Sequence, residues 1–271
     1  QPIKLNAFPK LEGVVDVIYN PDCTNLVLEA KSLGIKTSGG LYMLVMQAVK
    51  AYELFFDTKI ENDKADEIFE KIHSSKKNIV LVGMPSSGKT TVGKIIAKLL
   101  GREFVDSDEE IVKVENRKIT DIFSSEGEAY FRAVESSVIS KISSKTSCVI
   151  STGGGAVLDF NNVKNLKMNG KIYFLNRPLE KLVPTADRPT ASSIQKLTEL
   201  YEKRFPVYSQ NCDVCVNADD SPEKIAEFII KDAKLKNEVH KNIVKINPSK
   251  ATGTVSVPPS KSLAHRALIC A

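Results

Sequence analysis

Apolar residues along this chain keep two rhythms. Short unbroken runs of β-branched and aliphatic residues mark buried strands, and apolar residues spaced three or four apart mark helices. From about Asn78 onward the two alternate. The runs predict strands at Asn78–Val82, Glu103–Asp106, Ser147–Thr152, Lys171–Leu175 and Asp213–Asn217. Between them the helical rhythm predicts Lys89–Leu100, Glu109–Glu115, Glu128–Ile142, Asn161–Met168, Ser193–Arg204 and Pro222–Ala233. Ser221-Pro222 is a start signal for the last of these, a capping serine followed by a proline in the first turn. On the helix at Glu128–Ile142 the expected buried stripe is Phe131, Val134, Val138 and Ile142. Strands that are apolar throughout and alternate with helices predict a parallel sheet covered on both faces. Ligands of such sheets bind beyond the carboxyl ends of the strands.

The first seventy residues carry a smaller version of the pattern. Gly13–Tyr19 reads as a short buried strand ended by the turn Asn20-Pro21-Asp22, Leu26–Leu33 as a helix stopped at Gly34, and Ile35–Thr37 as a second strand. A long apolar-periodic helix, Leu41–Phe56, comes next, so this β-α-β-α order predicts a piece of a doubly wound sheet. Asp57–Lys77 reads as a trailing helix and linker. The expected organisation is a segment at 1–72, a linker at 73–77, a main domain at 78–236, a charged linker at 237–250 and a short tail at 251–271.

The strongest chemical signal sits at the first strand of the main domain. Gly83-Met84-Pro85-Ser86-Ser87-Gly88-Lys89-Thr90 has the G-x-x-x-x-G-K-[ST] spacing of a phosphate-cradling P-loop. Glycines there let backbone N–H groups wrap a polyphosphate, and the helix starting near Lys89 aims its positive dipole end at the same anion. Lys89 would neutralise the β/γ-phosphates and the Thr90 hydroxyl would face Mg²⁺.

Other strand ends add candidates. Asp106-Ser107-Asp108 presents carboxylates two apart, which reads equally as a metal and acceptor pair or as a helix N-cap cluster. Gly153-Gly154-Gly155 directly after a buried strand is costly in chain entropy and makes sense where a ligand lies against bare backbone. Arg132 stands between Glu128 and Glu135, either as a solvent-facing ion-pair ladder or as a guanidinium held to grip a substrate carboxylate. Pro184–Pro189 reads as a lid with Arg188 in reach of a phosphoryl group, and Arg204 is a second anion-binding candidate.

Composition narrows the class. The 271 residues are 42% hydrophobic and 26% charged with a net charge of +5, values of a globular protein that favours an anionic ligand. No dense basic run points to nucleic acid, and no apolar stretch is long enough to span a membrane, so the expected location is cytoplasmic. Cys212-x-x-Cys215 falls on an expected strand, where residues three apart face opposite sides, and reads as structural. A start at Gln1 and an end inside what reads as a helix suggest a piece of a longer chain.

The P-loop, Asp106-Ser107-Asp108, Phe131-Arg132-x-x-Glu135, Gly153-Gly154-Gly155, Arg188-Pro189 and Arg204-x-Pro206-x-Tyr208 stand in the order and rough spacing of shikimate kinases. Residues 78–236 therefore resemble that family. The resemblance implies an α/β fold, with a P-loop NTPase-type five-stranded parallel sheet and helices on both faces. It implies transfer of the γ-phosphate of ATP to a shikimate hydroxyl, giving 3-phosphoshikimate in aromatic amino-acid biosynthesis. Gly83, Ser86, Ser87, Gly88, Lys89, Thr90 and Thr91 would hold ATP with Arg188 closing over it. Asp108, Arg132, Gly153, Gly154, Gly155 and Arg204 would hold shikimate, the arginines on its carboxylate. Thr90 and Asp106 would serve Mg²⁺, and Lys89, Asp108 and Arg188 would form the catalytic set. Departures lie in the lid segment, where Lys181 is the nearest cation to the family's upstream arginine, and near the C-terminal strand, where Asn217–Asp220 replaces a nucleotide-facing arginine. The alternatives are a gluconate-type P-loop kinase and a catalytically impaired nucleotide- and shikimate-binding fragment of a multifunctional chain.

The ends carry resemblances of their own. Asp16–Pro21 with Gly40–Ala48 is similar to the C-terminal end of shikimate dehydrogenases, in which residues matching Tyr19 and Gln47 touch shikimate. That family's catalytic Lys and Asp have no counterpart here, so no dehydrogenase activity is expected. Gly253–Leu268 resembles the opening of EPSP synthase, with Lys261, Ser262 and Arg266 at positions that hold the phosphorylated substrate. Neighbouring shikimate-pathway domains are thus the expected partners in a longer parent chain.

Overall fold

The N-terminal segment builds β1 (Gly13–Val15), α1 (Asn25–Ser32), β2 (Lys36–Ser38), α2 (Gly40–Phe56) and α3 (Asn62–Lys76). This computed structural model describes residues 3–183 and 194–235. β1 and β2 pair in parallel, Val14 opposite Thr37, as a sheet of their own. The strand expected at Gly13–Tyr19 stops at Val15, and Val15, Val17, Ile18 and Tyr19 are exposed rather than buried. Val17, Ile18 and Tyr19 follow the strand, and a sheet of two three-residue strands offers little surface to bury them against. Much of α2 behaves alike, with Tyr52, Leu54, Phe55 and Phe56 exposed near its C-terminal end.

The stretch at 73–77, read as a linker, is helical up to Lys76. Its serines do not break the helix, because Ser74 and Ser75 donate their hydroxyls back to the carbonyls of Glu70 and Ile72. Hydrogen bonds to backbone carbonyls tie this end of α3 to the main domain. Ser147 N–H reaches the Lys76 carbonyl at 2.8 Å, and Arg102 reaches the Lys77 carbonyl at 2.7 Å.

The main domain runs β3 (Asn78–Val82), α4 (Lys89–Leu100), β4 (Glu103–Asp106), α5 (Ser107–Glu115), α6 (Ile119–Ser125), α7 (Gly127–Ser143), β5 (Cys148–Ser151), α8 (Phe160–Asn169), β6 (Gly170–Asn176), α9 (Ile194–Asn211), β7 (Val214–Asn217) and α10 (Pro222–Asp232). The five strands form one parallel sheet in the order β4-β5-β3-β6-β7. The predicted α/β architecture is the observed one. β3 is buried along its whole length because both faces are covered. Ile79 and Leu81 pack with Val92, Ile96, Ile225 and Ile229 of α4 and α10. Val80 and Val82 face the opposite core, with Ile111, Phe131, Val138 and Tyr208.

Three local expectations change. α9 continues through Pro206 to Asn211 instead of stopping at Arg204. Proline removes one helical hydrogen bond, but the half-buried Phe205 before it and the buried Tyr208 after it pack into the core and hold the helix together. The buried stripe of α7 contains Glu135 as well as Phe131, Val138 and Ile142, while Val134 is only half-buried. Of the cysteine pair only Cys215 lies on β7; Cys212 closes the end of α9, its N–H on the Tyr208 carbonyl. Arg188 of the expected lid, the linker at 237–250 and the tail with Lys261, Ser262 and Arg266 lie outside the described residues.

Candidate active site

All the strand-end candidates within the described residues fall at the carboxyl edge of the sheet. β3 leads into the glycine loop, and the sheet order places the ends of β5 and β6 on either side of it. Gly83 has φ +149° and Gly88 φ +91°, backbone states that only glycine adopts without strain. Gly83 also rests against the Leu175 carbonyl, from which an added Cβ would be 2.9 Å. Lys89 is buried at the start of α4, its Nζ 3.0 Å from the Gly83 carbonyl and 2.8 Å from that of Met84. Ser86, Gly88, Lys89, Thr90 and Thr91 line a polar cavity of about 330 Å³ together with Asp106 and Asp108.

Asp106 uses both of its carboxylate oxygens. Its Oδ1 accepts the Asp108 N–H at 3.0 Å and so caps α5, while its Oδ2 accepts the Thr90 hydroxyl at 3.1 Å. Asp108, one residue into the helix, lines the phosphate-side cavity and also a second one of about 470 Å³. Arg132, Glu135, Arg204 and the glycines Gly153–Gly155 line that second cavity.

The three glycines are there for space. None has a left-handed φ. A Cβ on Gly153 would stand 2.5 Å from Asp108 Oδ1, one on Gly154 would stand 3.2 Å from Arg204 Nη1, and one on Gly155 would stand 2.6 Å from Arg132 Nη2. The bare backbone therefore admits the aspartate and both arginines. Ser107 Oγ accepts the Gly153 N–H at 2.8 Å, and the Tyr208 hydroxyl donates to the Gly154 carbonyl, pinning the loop from α5 and from α9.

Arg132 is held as well as placed. Its Nη1 meets Glu135 Oε2 at 2.7 Å and its Nη2 meets Glu128 Oε1 at 3.1 Å. Glu128 is exposed and Glu135 is 1% exposed, so the Glu128 pair is a solvent-facing rung and the Glu135 pair anchors the guanidinium to a buried carboxylate. Burial alone would lower the Arg132 pKa; the two carboxylates outweigh it and hold the guanidinium above its ordinary value. Burial pushes the Glu135 carboxyl up, against the pull of Arg132. Its Oε1 is buried and has no hydrogen-bond partner among the described residues. Arg204 is buried on α9 at the same cavity. A small acid would find guanidinium groups from two helices there, with Asp108 beside them.

Sequence reasoning missed two parts of the site. Lys118, Thr120 and Phe123, around the unpredicted helix α6, wall the second cavity. Arg177 lines the first, and its position just past the end of the buried strand β6 was the available signal. Lys181 pairs with Asp219, so the nearest upstream cation of the lid region is tied to the loop after β7. No helix among the described residues is long and apolar enough to cross a membrane.

A glycine loop on a parallel sheet, a Lys-Thr pair opening the next helix and a second cavity sharing one aspartate with it define a P-loop kinase of the α/β class. Comparison with known proteins resolves the class further. The shikimate kinase family model matches residues 85–234. Shikimate kinases of Thermodesulfovibrio yellowstonii and Caldicellulosiruptor bescii are 43% and 46% identical over 164 and 162 residues, covering 58% and 57% of this chain and 94% of each relative. Among solved structures, a shikimate kinase from Acinetobacter baumannii in complex with shikimate is 35% identical with a TM-score of 0.57, covering 62% of this chain and 99% of that one. The shikimate kinase of Aquifex aeolicus is 34% identical with a TM-score of 0.52, covering 58% and 96%. The chain belongs to the shikimate kinase family and is an ATP-dependent kinase.

Proposed function

We propose that the two cavities are the donor and acceptor sites of a single transfer, in which the γ-phosphate of ATP passes to a hydroxyl of shikimate to give 3-phosphoshikimate and ADP. One observation carries this assignment: Asp108 lines both cavities. The attacking hydroxyl oxygen bonds to the γ-phosphorus, the bond to the β–γ bridging oxygen breaks with its electrons leaving on ADP, and the hydroxyl proton passes to the Asp108 carboxylate. Arg132 and Arg204 bind the shikimate carboxylate. Arg132, aligned by Glu135, offers a forked pair of donors. Lys89 and the loop N–H groups hold the phosphates in line, so positioning and electrostatics supply the catalysis.

Thr90 Oγ1 and Asp106 Oδ2 are hard oxygen donors 3.1 Å apart on the rim of the phosphate cavity. They suit Mg²⁺, which takes few protein oxygens and completes its shell with phosphate and water. When bound, the ion neutralises phosphate charge. Asp106 and Thr90 keep their side chains aimed at that rim through their mutual hydrogen bond.

The test is ADP release that depends on shikimate, with identification of the phosphorylated product. A folded protein that binds ADP and shikimate without producing a phosphate ester would support the impaired-fragment alternative instead. Residues 1–72 are read as a dehydrogenase-like segment that adds no chemistry of its own. Tyr19 and Gln47 both stand exposed. Shikimate-dependent reduction of NADP⁺ would contradict this.

A further inference from the structure

Arg177 is an arginine without a counter-charge, among the described residues, beside the phosphate loop. β6 is hydrogen-bonded to β3 in register, Val82 opposite Phe174, so the chain leaving β6 runs alongside the chain entering the glycine loop. Gly83 rests against the Leu175 carbonyl, two residues before Arg177. Pro178 comes directly after Arg177, which restricts the arginine backbone to extended conformations and limits its swing. Its side chain lines the same polar cavity as Lys89, Thr90 and Asp106. No ion pair or hydrogen bond within the described residues engages it, and its Nε is buried without a partner. A buried guanidinium nitrogen with no acceptor is costly unless a ligand supplies one. An anion in this cavity would do so.

We propose that Arg177 is a phosphate-binding catalytic residue that grips the terminal phosphates of ATP from the β6 side, opposite the triple-glycine loop. Its planar fork matches two phosphate oxygens, whereas Lys89 acts as a point charge from below. The assignment rests on reading this cavity as the nucleotide site.

The experiment compares Arg177→Gln, Arg177→Lys and Lys89→Ala with the parent by ADP titration calorimetry, ADP-induced melting shift and steady-state kinetics. Arg177→Gln is expected to weaken ADP and to lower kcat/KM for ATP by roughly ten- to a hundredfold, the scale of one lost charge-assisted hydrogen bond. The KM for shikimate and the ligand-free melting temperature should stay at parental values. Arg177→Lys should recover part of the loss, and it carries the test if the glutamine variant does not fold. ADP affinity and kcat/KM for ATP both within about twofold of the parent in a folded variant would overturn the proposal. So would a loss confined to shikimate. If Lys89→Ala leaves ADP binding intact, the nucleotide-site reading fails. If it abolishes binding while Arg177→Gln is parental, only the role of Arg177 fails.

Discussion

The Thr90 hydroxyl donates to Asp106 Oδ2 at 3.1 Å, across the gap between the first turn of α4 and the end of β4. That bond joins the loop that holds phosphate to the strand end that delivers Asp108, because the other oxygen of Asp106 caps the helix on which Asp108 rides. One carboxylate thus fixes both the Thr90 edge of the phosphate-loop cavity and the start of the helix that carries Asp108.

Asp106→Asn separates these duties. The amide oxygen still caps α5, so stability should change by less than the ~1 kcal/mol that losing an N-cap costs. The anionic oxygen facing Thr90 is gone. Activity should therefore fall roughly tenfold or more, with half-saturation at higher Mg²⁺, as expected for removal of a charged ligand from the site. A Mg²⁺ titration of the rate checks this; an unchanged half-saturation point contradicts it.

Gly153→Ala places a methyl 2.5 Å from Asp108 Oδ1 and 3.1 Å from Glu135 Oε1. Asp108 must move, and a displacement near 1 Å at a reacting group costs on the order of a hundredfold in rate. kcat with shikimate should drop by about that factor while ADP affinity stays parental. Gly155→Ala, which crowds Arg132 instead, should act mainly on the KM for shikimate. Identical kinetic signatures for the two variants would sink this division of labour.

Arg132→Ala and Arg204→Ala should each raise the KM for shikimate, by roughly tenfold or more if each removes a charge-assisted hydrogen bond worth about 1.5–3 kcal/mol. Arg132→Lys should recover little, since lysine cannot repeat the fork held by Glu135. Parental KM values in either alanine variant would remove that arginine from the acceptor site.

Glu135 gives a pH signature. Burial holds its carboxyl above the ordinary 4.5, so the folded protein binds more protons than the unfolded chain in the window just above that value. Stability from this residue is present at and below the unfolded value and is lost as pH rises through the folded one. Denaturant unfolding of the parent and Glu135→Gln across that window should show the parent losing ground to the variant as pH rises, then a plateau. A constant difference would contradict the assignment.

The sheet was legible because each strand holds a short apolar run and is followed by a helical rhythm; all five strands and the P-loop emerge from local pattern. Of the two readings of Asp106 the helix cap is the observed one, made by one carboxylate oxygen, while the other oxygen faces Thr90. The glycines were read as clearing room for a ligand; they line the second cavity and also clear room for Asp108, Arg132 and Arg204, side chains that reach the loop from α5, α7 and α9. Such contacts between distant elements leave no periodic trace. α6 escaped for a related reason: it is seven residues long and buries only Ile122 fully, too little for a stripe. Arg177 escaped because a single arginine after a strand is ordinary until the sheet order sets it beside the P-loop.

The most direct measurement is the product of a shikimate and MgATP incubation, monitored by ³¹P NMR with the parent and with Asp108→Asn. The parent should convert shikimate to one monophosphate ester with matching ADP. Asp108→Asn should still bind both substrates and turn over at least roughly a hundredfold more slowly, the scale of a lost general base. Full-rate turnover by Asp108→Asn, or no ester from a parent that binds both ligands, would contradict a transfer across Asp108 from one cavity to the other.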